Sequence, residues 1–97
     1  MLNSKQRAYL KGLANSLEPI FQVGKGGISD PQVSQIDDAL RARELIKIKV
    51  LDNSEFSAAE AAREIADKIN ADVVQVIGSK FILYKPNPKK PVIVLKK

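Results

Sequence analysis

The strongest constraint on the fold of this chain lies between Pro19 and Leu51. Residues Pro19–Val23 read as a short apolar strand that runs straight into Gly24-Lys25-Gly26-Gly27-Ile28-Ser29-Asp30-Pro31. The glycines permit a tight connection, Ser29 with Gln32 predicts a capping box, and Asp30 and Pro31 suit a first helical turn. Val33, Ile36 and Leu40 recur at helical spacing and predict a helix from about Asp30 to Arg43. The next segment, Glu44-Leu45-Ile46-Lys47-Ile48-Lys49-Val50-Leu51, alternates instead. Ile46, Ile48 and Val50 go to one face of a strand, and Lys47 and Lys49 stand together on the other. Two strands joined by one helix lie parallel through a right-handed crossover, so the centre of the chain specifies a helix packed on a sheet.

The flanks extend this unit. Leu2, Gln6, Tyr9, Leu10, Leu13 and Leu17 place an amphipathic helix over about residues 3–15, with Asn3 or Ser4 as N-cap. Ser57-x-x-Glu60 is a second capping box, opening a helix that carries Ala59, Ala62, Ile65, Ala66 and Ile69 inward and Glu60, Glu64 and Asp67 outward. Residues 73–77 and Lys80–Tyr84 then flank Gly78-Ser79, a two-residue hairpin with glycine where a type II′ turn requires positive φ. The order α-β-α-β-α-β-β predicts an α+β fold, a two-layer α/β sandwich in which the second and third helices cover one face of a four-stranded mixed sheet. A single domain is expected over residues 1–85, followed by a basic tail over 86–97. Pro86, Pro88 and Pro91 with the tail lysines favour a solvated arm, whereas the apolar run at 92–95 favours an edge strand or docking on the sheet.

Net charge is +5, and it is segregated. Residues 1–49 hold eight basic and five acidic side chains, 50–79 two and six, and 80–97 six lysines and no acid. Such segregation points to an anionic partner approached from one side. The absence of cysteine and histidine removes disulfides, thiolate metal sites and the commonest general base at neutral pH. Adjacent Asp37 and Asp38 point about 100° apart on a helix and make no carboxylate dyad. The reading is therefore of a non-enzyme that needs no cofactor and no small-molecule substrate. Apolar runs are too short for a membrane span, and Lys5, Arg7 and Lys11 interrupt any signal-peptide core, so a cytoplasmic location is expected.

The glycine run is the sharpest functional motif. Gly24-Lys25-Gly26-Gly27 is a G-x-x-G with a lysine at its tip, set at a helix start whose N–H groups and dipole favour an anion. It does not have the spacing of a P-loop or of a dinucleotide fingerprint. A loop of this kind can clamp a nucleic-acid backbone, as the G-x-x-G of KH modules does, although here it joins a strand to a helix. The alternative is a turn with no ligand. Arg7 and Lys11 repel each other at one-turn spacing unless solvent or a partner's phosphates offset the cost.

Several blocks in this order resemble the CRM domain, the chloroplast RNA splicing and ribosome maturation module, in its bacterial YhbY-like form. They are Lys5-Gln6-Arg7 with Leu10-Lys11-Gly12-Leu13-Ala14, Gly24-Lys25-Gly26-Gly27-Ile28-Ser29, Glu44-Leu45-Ile46-Lys47-Ile48-Lys49, and Val76-Ile77-Gly78 with Leu83-Tyr84-Lys85-Pro86. The resemblance implies a fold similar to the C-terminal domain of translation initiation factor three. It also implies RNA binding and association with ribosomal RNA in large-subunit precursors, as a ribosome assembly factor. Its RNA surface would fall on Gly24, Lys25, Gly26 and Gly27, on Lys5, Arg7 and Lys11, and on Lys47, Lys49, Lys85, Lys89 and Lys90. A monomer is expected. A protein-docking adaptor on ribosomal particles, without direct RNA contact, is the competing reading. Tyr9, Phe21, Phe56, Phe81 and Tyr84 fit apolar positions, so backbone and shape recognition is expected over base stacking.

Overall fold

The computed structural model describes residues 2–87, 89, 91 and 93, and its elements follow the predicted order. They are α1 (Ser4–Ala14), β1 (Pro19–Val23), α2 (Asp30–Arg43), β2 (Leu45–Val50), α3 (Ala58–Ile69), β3 (Asp72–Ile77) and β4 (Lys80–Tyr84). Side chains at the helix starts satisfy N–H groups that have no partner within the helix. At α1, Asn3 Oδ1 accepts from the Gln6 N–H at 2.8 Å and Gln6 Oε1 accepts from the Asn3 N–H at 3.1 Å. The Ser57–Glu60 box of α3 closes in the same way, at 3.1 and 2.9 Å. At α2 only half of the expected box forms. Ser29 Oγ accepts from the Gln32 N–H at 3.3 Å, but the Gln32 amide donates instead to the Gln22 carbonyl of β1 at 2.7 Å. A backbone acceptor on the neighbouring strand is within reach, and using it ties the first turn of α2 to the sheet.

The sheet order is β1-β2-β4-β3, with β1 parallel to β2 and the other pairs antiparallel. Gly78 has φ +56° while Ser79 is not in the positive-φ region, as a type II′ hairpin requires. One face of the sheet presents Val23, Ile46, Ile48, Val50, Phe81 and Leu83 to α2 and α3, which contribute Ile36, Leu40, Ala61, Ala62, Ile65, Ala66 and Ile69. The stripe of α3 is rotated slightly from the expected one. Ala58 and Ala61 are buried and Ala59 is exposed, so small side chains lie where the helix approaches the strands.

The expected layers of sheet and two helices are joined by a partial third. α1 lies on the opposite face, where Leu10 and Ala14 cover Leu45, Val74, Ile82 and Tyr84. Arg7 anchors it, donating from Nη1 to the carbonyls of Val73 and of Val74, the latter at 3.1 Å. These carbonyls lie at a register shift in β3, between Val73 and Gln75.

The described part of the tail folds back on the C-terminal end of α2. Glu44 caps that helix with φ +65° and is 1% exposed. Its carboxylate accepts from the N–H groups of Asn87 and Ile93, both at 2.6 Å. Lys85 Nζ pairs with Asp37 at 2.9 Å, and Ile93 packs against the α1-side core. Apart from Ile93, the apolar run expected at 92–95 lies outside the described residues, as does Lys90.

Two stability predictions follow from these contacts. Ser57→Ala should lower unfolding free energy by about 1 kcal/mol in urea titration. The hydrogen bonds from Ser57 hold the Glu60 carboxyl below its ordinary pKa. Its contribution is therefore present above the usual carboxylate range and is lost as pH falls through the lowered value. NMR titration of Glu60 in Ser57→Ala should show the downward shift reduced. Removing residues 86–97 should cost about 1–3 kcal/mol, because the buried Glu44 carboxylate loses two charge-assisted donors. A truncated chain with unchanged urea midpoint would show that the tail contacts contribute nothing.

Candidate nucleic-acid interface

The glycine loop closes as a turn in which the Gly27 N–H donates to the Gly24 carbonyl at 3.0 Å. Lys25 and Gly26 are its central residues, and both are exposed. Only Gly27 has positive φ, at +73°. A Cβ there would also stand 3.7 Å from the Phe56 ring, in ordinary contact. A Cβ at Gly24 would lie 3.4 Å from Leu51 Cδ1. At Gly26 a Cβ would meet nothing within 4 Å, and the backbone there is not in the left-handed region. The turn therefore requires glycine at Gly27 and not at Gly26. What a bare Gly26 offers is close approach of an outside group to the backbone, beside the Lys25 ammonium.

The register of the sheet locates the remaining cations. Lys47 stands opposite Ile82 and Lys49 opposite Lys80, and Ile82 packs against α1. Lys47 and Lys49 are thus on the α1 side of the sheet, half-buried rather than covered. Lys5 is exposed and Lys11 half-buried on α1 itself. Among the described residues, ion pairs engage Arg41, Lys68 and Lys85, and none engages Lys5, Lys11, Lys25, Lys47, Lys49 or Lys80.

Three of the expected cations are placed differently. Arg7 is half-buried and spends donors on β3 carbonyls, a role in docking α1. Lys85 follows β4, whose C-terminal end lies beside the start of β2, at the end of the sheet away from the glycine loop. There it pairs with Asp37, which also holds Arg41 at 3.0 Å. Lys89 lines a shallow pocket of about 380 Å³ with Arg41, Lys85, Pro86 and Asn87 at that same far end. The structure therefore places Lys25 and Lys49 at the loop end, sets Lys47 one pleat repeat away from Lys49 along β2, beside the α1-side core, and separates Lys85 and Lys89 from them. Lys80 is the member that sequence reading did not single out. Its signal was the hairpin register, which sets it opposite Lys49 once the sheet order is known.

The two glycines give opposite expectations for stability. Gly26→Ala should leave the fold intact and raise unfolding free energy by about 0.4–1 kcal/mol, by restricting the unfolded chain. Gly27→Ala should lower it by about 1–2 kcal/mol, because the left-handed conformation is strained for an L side chain. Urea titration of the pair checks both signs.

Comparison with known proteins agrees with this architecture. The CRS1 / YhbY (CRM) domain model matches residues 2–85. The Bacillus subtilis protein named "Probable RNA-binding protein YqeI" is 43% identical over 95 residues, covering 98% of this chain and 99% of the relative. A Haemophilus influenzae protein named "RNA-binding protein" is 35% identical over 86 residues, covering 89% of this chain and 87% of its own. The solution structure of a hypothetical Staphylococcus aureus protein, 42% identical, superposes with a TM-score of 0.73 over 99% of this chain and 100% of that one. With its element order, its strand-to-helix glycine loop and a family match across nearly its whole length, the chain belongs to the CRM domain family.

Proposed function

We propose that this chain binds RNA through the glycine loop and the basic α1-side surface of the sheet, with ribosomal RNA in large-subunit precursors as its target and ribosome assembly as its setting. The observation that carries the reading is Gly26. The turn does not need glycine there, yet the position is bare beside an exposed lysine that has no ion-pair partner among the described residues, in the connection between β1 and α2. Among the described residues, the N–H groups of Lys25 and Gly26 have no acceptor inside the protein, whereas that of Gly27 does. A phosphate oxygen supplies an acceptor for them and a counter-charge for Lys25. The names carried by the relatives add support, since they describe RNA-binding proteins.

The chemistry is positioning rather than reaction. Lysines bind phosphate as point charges, and no described group of acids, cysteines or histidines is arranged to hold a metal. Contacts of this kind fix register on an RNA and carry little base identity, so selectivity comes from the shape of a folded RNA.

Lys25→Ala should change stability by less than about 0.5 kcal/mol, as for exposed positions generally. The same change should weaken RNA binding and make the log–log salt dependence shallower by about 0.7, the value of one phosphate contact on a single strand. Lys25→Glu should weaken binding further. Fluorescence anisotropy with fragments of large-subunit ribosomal RNA at two or more salt concentrations measures both effects. Binding of Lys25→Glu equal to the parent at low salt would reduce the loop to a turn. Ribosomal particles that retain the protein after nuclease digestion of exposed RNA would favour the protein-docking adaptor.

A further inference from the structure

The register places Gln22 of β1, Lys49 of β2, Lys80 of β4 and Ile77 of β3 in one row across the sheet. This row lies on the α1 side, one pleat repeat beyond the row in which Lys47 faces Ile82. It stands at the loop end, since Gln22 precedes Gly24 by two residues. α1 leaves it open: Lys80, Gln22 and Ile77 are exposed, Ile77 by 53%, and Lys49 is half-buried. The row contains no acidic residue.

Within it, Lys49 and Lys80 are direct partners on antiparallel strands. Directly opposed residues hold their Cβ atoms about 4.5–5.5 Å apart, where like charges destabilise the pair. Neither lysine has an ion-pair partner among the described residues. Unlike Lys85, which has Asp37, this cross-strand pair has no acidic neighbour in its row.

We propose that Lys49 and Lys80 form a phosphate-binding pair that carries an RNA backbone from the glycine loop across the open end of the sheet. A phosphate between the two ammonium groups turns their repulsion into two attractions. The loop and the row share one end of the sheet, so one strand of RNA can touch Lys25 and then the lysine pair. The contact is to phosphate and is independent of base sequence. The inference rests on the RNA reading of the loop and the basic sheet surface, and deepens it by assigning one phosphate contact to the Lys49–Lys80 pair.

The test compares Lys80→Glu, Lys80→Gln and Lys25→Glu with the parent chain. Each is titrated against a labelled uridine oligonucleotide and a labelled RNA hairpin at low and moderate salt, and each is melted without RNA. The expected result is that Lys80→Glu raises the melting temperature, by giving Lys49 an opposite charge, while weakening RNA binding several-fold. Lys80→Gln should also weaken binding and should make the salt dependence on the uridine oligonucleotide shallower by about 0.7. A gain in stability coupled to a loss of binding separates a phosphate site from a structural one. If Lys25→Glu weakens binding and both Lys80 variants bind like the parent, the lysine pair is overturned and the loop reading stands. If no variant weakens binding, the RNA reading itself fails and takes this proposal with it.

Discussion

The two cores of this protein meet on the paired central strands β2 and β4, and the burial of β2 decides which face carries its lysines. Leu45 turns towards α1, whereas Ile46, Ile48 and Val50 turn towards α2 and α3. The alternation that buries three residues on one side forces Lys47 and Lys49 to the other, because side chains on a strand have period two. α1 has 11 residues, a length of about 16 Å at the helical rise, and it packs on the end of the sheet where β2 starts. The far end of that face stays open. An exposed basic surface beside the glycine loop is therefore a consequence of how β2 is buried and how short α1 is, rather than a separate feature laid over the fold.

The same geometry explains what a reading of residues could and could not recover. The order of elements was legible because each boundary carries local chemistry: Asn3, Ser29 and Ser57 at helix starts, and Gly78 in the hairpin. The parallel crossover was legible from Ile46, Ile48 and Val50 following a capped helix. What local chemistry does not encode is which face α1 covers, and so whether Lys47 and Lys49 are open. That depends on Leu10 and Ala14 meeting Val74 and Ile82, residues far apart in the chain. Gln32 shows the limit on a smaller scale. Its spacing from Ser29 is right for a capping box, but the Gln22 carbonyl, brought close only by the fold, takes the side chain.

Charge counted along the sequence does not show which of the C-terminal lysines has an acidic partner, for a related reason. Lys85 looks free in a segment with no acids, yet Asp37 on α2 is its partner at 2.9 Å. Asp37 also serves Arg41, so one carboxylate of the helix offsets two cations at the far end of the sheet. Glu44 gathers the following backbone in the same region, accepting from Asn87 and Ile93. Acids on and just after α2 thus hold the described part of the tail in place, and Arg41 and Lys85 have a partner within the protein. At the loop end the balance is reversed, with Lys25, Lys49 and Lys80 lacking such partners among the described residues.

The glycines of the loop are not equivalent for folding. Gly27 occupies the left-handed region, and the turn onto α2 could not follow this path with an ordinary residue at equal stability. Gly26 has ordinary backbone torsion and empty space where a Cβ would stand, so the folded chain gains nothing from its bareness. A glycine also loses more conformational freedom on folding than alanine would. Retaining it at an exposed tip costs stability that an alanine would restore. In the proposed function, an RNA backbone drawn close to the Lys25–Gly26 peptide would offset that cost, through the same small gap that an alanine methyl would narrow.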